Sequence, residues 1–278
     1  MWWDGFKART EVLDIYLGTR RVMCLPSPSR IKDVEGRAPE SVAVESFEEA
    51  LHVIGRLIPA GDSGKMRIKL RIWLSGGLAR PFLLNVPAKI IDVEALRIAE
   101  SMASAQTGLV RSCKVWVEKP NKSGQRVAVA VHADQLQAIL DRVAGSNPGQ
   151  GAPRRKLQLL SIRPWWAEVL GEGVRHKKEL QGIAVQDCDS LTVLTGKHHQ
   201  AKTNSKLVET AQTLSPVADQ ATADAALMRR LLAIDVDPAV MWRVRLLQEQ
   251  RAGASELKSG EKDVRSAMAL GSYVECGV

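Results

Sequence analysis

The first apolar blocks of the chain are short and closely spaced. Val12 to Leu17 and Arg21 to Leu25 flank "GTR", which reads as a strand, a tight turn at Gly18 and a second strand. "PSPSR" follows as a loop, and Val42 to Val44 reads as a third short strand. The period then changes to that of a helix. "SFEEALHVIGRLI" puts Phe47, Ala50, Leu51, Ile54, Leu57 and Ile58 on one face. Ser46 is its N-cap, with Glu49 three residues on as in a capping box.

After a turn at "GDSGK", basic and apolar residues alternate from Arg67 to Leu74. Period two predicts a strand with one wet face. Pro81 to Val86 reads as its antiparallel return partner. Asp92 is the expected N-cap of a helix over Ala95 to Ala105. Ser112 to Val117 and Arg126 to Val131 predict a hairpin about "KPNKSGQ". A helix then starts near Ala133 and stops at Gly145, where a C-terminal glycine belongs. Leu157 to Ile162 is a further strand, and "RPWWAEVLG" opens a short helix with Pro164 at an early position.

The composition changes after Gly171. Leu180 to Val185 and Leu191 to Leu194 read as two strands around "QDCDS", and "GKHHQAKTNSK" as a polar turn. "ATADAALMRRLLAI" and "PAVMWRVRLLQEQRA" are expected to be helices. The stretch from Gly253 is polar and glycine-bearing, and is expected to be poorly ordered. The sum is a mixed α/β chain in which the second half restarts with a strand hairpin, the mark of an internal duplication.

Bulk properties narrow the class. The 278 residues suffice for one large domain or two smaller ones. Apolar residues make up 45% and charged residues 25%, the balance of a soluble globular protein. No uninterrupted apolar run approaches the ~20 residues of a spanning helix. "MWWDGFKART" lacks the parts of a signal peptide, so the cytoplasm is the expected compartment. The four cysteines are far apart and suggest neither zinc nor a disulfide framework. The net charge of +8 is dispersed, and only three Phe and two Tyr join the seven Trp. No stacking platform interleaved with basic residues emerges, which disfavours specific nucleic-acid recognition and favours a basic surface docking near a membrane.

Two stretches look like nucleotide motifs. "LSGGLAR" at Leu74 to Arg80 looks like the signature loop of ATP-binding-cassette ATPases. Such a protein also needs Gly-x-x-x-x-Gly-Lys-[Ser/Thr]. The nearest candidate, "PAGDSGKM", has Pro59 for the first glycine and Met66 for the hydroxyl residue. The favoured reading is a glycine turn between antiparallel strands. The second stretch is "VLDIYLGTRRVMCL". In the actin-like ATPase superfamily such a hairpin carries Asp-x-Gly-[Thr/Ser]: the glycine lets backbone amides approach phosphate, and the aspartate helps place the metal. Gly18 and Thr19 are present, but Tyr16 holds the aspartate's position and Asp14 lies one strand repeat back.

The order of elements resembles the actin-like assembly-platform proteins of bacterial type IV pili and type II secretion, the PilM-type proteins and the cytoplasmic domain of GspL-type proteins. The stretches that carry the resemblance are "YLGTRRVMCL", "KLRIWLSGGLARPFLL", "RVAVAVHADQLQAILDRV", "KLQLLSIRPWWAEVL" and "QDCDSLTVL". They run from about Glu11 to Leu194. The resemblance implies a two-lobed actin-like α/β fold, with residues 1–171 as the first lobe, 172–252 as a reduced second lobe and 253–278 as a flexible tail. It implies a docking module on the cytoplasmic face of the inner membrane, which binds a cytoplasmic segment of a membrane subunit and contacts the secretion or pilus ATPase. GspL-type proteins carry a spanning helix and PilM-type proteins do not. Homodimerisation is left open.

Candidate residues follow from this. In active relatives a second Asp-x-Gly would clamp phosphate from the other side; "DCDS" offers Asp187 and Asp189 with no glycine. The nucleotide candidates are therefore Gly18, Thr19, Asp187 and Asp189, with ATP and Mg²⁺ left open as cofactors and no catalytic residue assigned. The two aspartates are expected at a solvated strand end. His198 and His199 read as a polar turn, and no metal site is expected. Adjacent Trp165 and Trp166 cannot easily both be buried on one helix face; the core reading for both is nonetheless favoured, and the alternative, which makes them partner-binding candidates, sets one in the core and the other at a cleft or partner surface. Trp2 and Trp3 are candidate partner or membrane contacts. The leading expectation is a scaffold without turnover. The alternatives are an active actin-like ATPase or phosphotransferase using Asp187 or Asp189, and a basic nucleic-acid-binding protein.

Overall fold

A computed structural model of the chain describes residues 10–25, 40–57, 67–87, 89–120, 124–145, 156–176, 181–196, 208, 210–214, 219–238, 241–246, 262–263 and 273–276. The first unit is a three-strand meander, β1 (Thr10–Leu17), β2 (Arg21–Leu25) and β3 (Glu40–Ala43), followed by helix α1 (Phe47–Leu57) and strand β4 (Arg67–Leu74). β4 returns parallel to β1, and β8 (Lys156–Pro164) adds parallel to β4. The sheet order is β3-β2-β1-β4-β8.

An insertion lies between β4 and β8. It comprises β5 (Ala79–Asn85), α2 (Asp92–Thr107), β6 (Cys113–Val117), β7 (Gln125–His132) and α3 (Ala133–Gly145). Its strands form a sheet of their own, ordered β5-β7-β6. Ala95, Ala99 and Ala103 lie on the buried side of α2, against Phe82, Leu84, Val115, Ala128 and Ala130. Three alanines at helical spacing let the helix sit close to the strands.

Helix α4 (Trp165–His176) leads into a second unit: β9 (Gly182–Gln186), β10 (Leu191–Thr195), β11 (Thr210–Leu214), α5 (Gln220–Ala233) and β12 (Met241–Leu246). β12 pairs parallel with β9, as β4 does with β1. The orders β3-β2-β1-β4 and β11-β10-β9-β12 are therefore the same arrangement built twice. Within 253–278, expected as a tail, the described residues are β13 (Lys262–Asp263) and β14 (Tyr273–Cys276), which extend the second sheet to β11-β10-β9-β12-β14-β13. Among the described residues no helix is long and apolar enough to cross a membrane.

Several local expectations hold. Ser46 Oγ accepts from the Glu49 amide at 3.1 Å, and Glu49 reaches back to the Glu45 amide at 2.7 Å, capping α1. α2 ends at Gly108, whose φ of 70° is left-handed. Its start differs, because Ile91 is the N-cap residue and Asp92 pairs instead with Arg126 at 2.5 Å.

Three readings are corrected. β4 and β5 are not a hairpin: β4 is central, with parallel neighbours on both sides, and β5 belongs to the other sheet. "PAVMWRVRLLQEQRA" supplies strand β12, not a helix. β12 is buried on both faces, Trp242 and Val244 in the main core and Met241 among the α5 residues. Trp242, Val244 and Leu246 alternate with Arg243 and Arg245, a period-two signal that competes with a helical period over so short a run. Trp165 and Trp166 are both buried, at 0% and 2% exposure, so neither is a partner surface. Trp165 packs edge-to-face on Tyr16 and Trp73, with ring centroids 5.9 Å apart in both pairs. Trp166 donates its indole N–H to the Ala79 carbonyl at 2.8 Å. The helix that bears them sits between strand layers, so adjacent positions both find interior space. Trp2, Trp3, His198 and His199 lie outside the described residues.

Candidate functional site

Three turns meet where the two repeated units face each other. The β1–β2 turn is closed by the Gly18 amide donating to Arg21 O at 2.8 Å. Here a side chain would be crowded, since a Cβ on Gly18 would lie 3.2 Å from Arg21 O. The turn after β4, Ser75 to Leu78, hangs from β1 through the Ser75 amide on Leu17 O at 2.9 Å. The β9–β10 turn is closed by the Asp187 amide on Ser190 O at 2.8 Å. It aims two carboxylates at the other turns.

Asp189 Oδ2 accepts from the Thr19 amide at 2.7 Å and from the Thr19 hydroxyl. Asp187 Oδ2 accepts from the Gly76 amide at 2.7 Å and from Ser190 Oγ at 3.1 Å. Gly76 is required by this approach: a Cβ there would sit 2.2 Å from Thr192 Oγ1. Both carboxylates are buried, Asp187 at 4% and Asp189 at 1% exposure. The expectation of a solvated strand end is thus overturned. The backbone amides of the opposite turns satisfy one oxygen of each carboxylate, Oδ2, while Asp187 Oδ1 and Asp189 Oδ1 are buried with no hydrogen-bond partner among the described residues.

Burial also sets the electrostatics. It pushes the Asp187 carboxyl up to about 7, with the Asp189 charge adding to the rise. The Gly76 amide and the Ser190 and Tyr16 hydroxyls pull the other way. Between them, Cys188 is pushed up to about 12, by burial first and then by the Asp187 charge. A thiol so placed is neutral and unreactive. Arg80 is the nearby cation. Burial lowers its pKa while Asp189 raises it. It fixes the Ser75–Leu78 turn by donating to Gly77 O at 3.3 Å and to Thr107 O, at the end of α2, at 2.8 Å.

Asp14 is committed elsewhere. It is fully buried and bound to Arg71, Nε to Oδ1 at 2.6 Å and Nη2 to Oδ2 at 2.7 Å, and to Trp73 Nε1 at 3.1 Å. Tyr16, at the position two before Gly18, is buried beneath the turn with Trp165 and Trp73 around it. An aromatic side chain therefore occupies the place from which a carboxylate would address a metal.

The sequence candidates Gly18, Thr19, Asp187 and Asp189 are brought together. They meet as donor and acceptor, not as a shared lining. Sequence reasoning missed Gly76, Gly77, Ser190 and Arg80. "LSGG" was the available signal: its glycines do admit an anionic group to the backbone, but that group is the chain's own carboxylate.

No family model matches the chain, and no curated protein matches it in sequence. Similarity emerges in three dimensions. A Bacteroides thetaiotaomicron protein of actin-like ATPase fold and unknown function matches 90% of this chain and 86% of that chain, with a TM-score of 0.53 at 8% identity. The fold is actin-like. Two further structures are similar to this actin-like chain. One is the cytoplasmic domain of EpsL, an inner-membrane component of the type II secretion system of Vibrio cholerae, covering 86% of this chain and 83% of that one at 15% identity and a TM-score of 0.45. The other is the PilM–PilN type IV pilus biogenesis complex, covering 82% and 67% at 11% identity and a TM-score of 0.49. In this chain the β1–β2 and β9–β10 turns grip each other through Thr19 and Asp189.

Proposed function

We propose that the chain is a scaffold without turnover, serving a bacterial type II secretion or type IV pilus machine. It docks a cytoplasmic segment of a membrane subunit and contacts the assembly ATPase, at the cytoplasmic face of the inner membrane. The observation that carries the first half is the direct contact of the β9–β10 turn with the turns after β1 and β4. Asp187 and Asp189 occupy the amides that a nucleotide phosphate would need. Tyr16 and the Asp14–Arg71 pair leave the β1–β2 hairpin without a carboxylate of its own at the turn to place Mg²⁺, and the Asp189 carboxylate beside it is engaged by Thr19. What supports the second half is the sequence resemblance to the assembly-platform proteins together with the actin-like fold.

Titration of the full chain with millimolar ATP and Mg²⁺, followed by a turnover assay, tests the first half. Neither saturable binding nor turnover is expected. Sustained hydrolysis abolished by Asp187→Ala would replace this reading with an active ATPase. Capture from bacterial membranes tests the second half. The expected catch is a protein with one spanning helix and a short cytoplasmic segment, together with an ATPase.

A further inference from the structure

The inserted sheet β5-β7-β6 ends on β6, Cys113 to Val117, which pairs among the described residues with β7 alone. Two flanking backbone bonds fix which groups of β6 point outward. The Glu118 amide donates to Val127 O at 2.9 Å, and the Ala133 amide donates to Ser112 O at 2.9 Å. Bonded pairs alternate along an antiparallel ladder. Both bonds fall on even-numbered residues of this strand, so Lys114 and Trp116 direct their amides and carbonyls to β7. Cys113, Val115 and Val117 direct theirs away from the sheet.

The side chains alternate too. Val115 is buried in the α2 core, and Cys113 and Val117 pack against it. Lys114 and Trp116 are exposed on the opposite face, Trp116 at 48%. "CKVWV" has no proline and no bulge, and one charge. Edges of this kind invite another strand.

The geometry points to a second copy of this chain as that strand, joined by antiparallel β6–β6 pairing about a two-fold axis at Val115. Three features are symmetric about that residue. The outward backbone groups at 113, 115 and 117 meet their own counterparts in bonded pairs. Cys113 lies opposite Val117 of the second copy, apolar on apolar. Lys114 lies opposite Trp116 of the second copy, twice, setting an ammonium against an indole face at the close spacing of a non-bonded pair. Sliding the register by two residues either way carries one end of each strand past the other. In one direction it also sets Lys114 against Lys114. The product is a continuous six-stranded sheet. A contact of five residues a side falls below the area of tight dimers, so the association is weak and concentration-dependent.

Sedimentation equilibrium of the full chain over a wide concentration range is the first test. A monomer–dimer equilibrium is expected, and a monomer at every concentration overturns the proposal. Val117→Pro removes an outward amide but no bond to β7, so the fold is retained by near-ultraviolet circular dichroism. Its dimer should be weaker by about tenfold, from two lost hydrogen bonds per dimer; an unchanged constant overturns the proposal. The register is read by oxidative cross-linking in a Cys113→Ser background. A mixture of Lys114→Cys and Trp116→Cys proteins should form a mixed disulfide, since opposed Cα atoms on a non-bonded pair are within disulfide reach. No mixed product, or cross-linking of Trp116→Cys protein with itself, overturns it.

Discussion

The Asp189 carboxylate takes both the amide and the hydroxyl of Thr19, a residue 170 positions earlier in the chain. The contact joins the two repeated hairpins and is nearly sealed from solvent on the Asp189 side. Asp189→Ala leaves the Thr19 amide without its partner, at about 1–3 kcal/mol. Urea unfolding should show that loss. Amide hydrogen exchange at Thr19 should accelerate relative to the β1 and β2 amides beyond it.

Asp187 makes stability depend on pH in the direction opposite to an ordinary ion-paired carboxylate. Its folded pKa of about 7 lies above the ordinary 3.8. Between those values the folded chain holds a proton that the unfolded chain has released, so stability falls as pH rises through that window. The full penalty at alkaline pH is on the order of 4 kcal/mol. The melting temperature should therefore decline from pH 5 to pH 8. Asp187→Asn should flatten that decline; an equally steep profile in the variant would show that another group is responsible.

Gly76→Ala tests whether the turn after β4 needs a bare backbone. Its Cβ would fall 2.2 Å from Thr192 Oγ1, so the turn must retreat from Asp187. A loss of about 1–3 kcal/mol is expected from overpacking. Thr192→Ala makes room, at the cost of the Thr192–Thr213 hydroxyl bond of 3.0 Å. A double-mutant cycle on thermal unfolding should give a favourable coupling of at least about 0.5 kcal/mol.

Trp165→Ala separates a core role from a partner role. The side chain is fully buried against Tyr16 and Trp73, and its removal should lower stability by about 3–5 kcal/mol. Trp165→Phe should recover part of this. A variant of unchanged stability that lost only capture of a membrane partner would favour the alternative, a partner-surface role for Trp165.

Local signals in the sequence predicted much of this architecture. Period two at Arg67 to Leu74, the Ser46–Glu49 capping box and the Gly18 turn each arise from neighbours in the chain, and each is present. β11 escaped notice because "TAQTL" is polar; it is held by cross-strand threonines, Thr195 with Thr210 at 2.6 Å and Thr192 with Thr213 at 3.0 Å. The partner of β4 was misjudged because a strand does not announce which sheet its successor joins. The site was half legible. Asp187 and Asp189 stood out as carboxylates two apart, but their burial depends on Gly76 and Thr19, more than a hundred residues away in sequence.

The contact between Asp187 and Gly76 has one more consequence. A diffusible nucleotide holds two lobes together only while its concentration exceeds its dissociation constant. A carboxylate tethered to the same chain is never diluted; its effective concentration is set by the intervening chain alone. On the proposed scaffold function, the closed arrangement is accordingly indifferent to the energy charge of the cell. A scaffold of the proposed kind, which must keep its shape whether ATP is abundant or depleted, is well served by carrying its own acidic group.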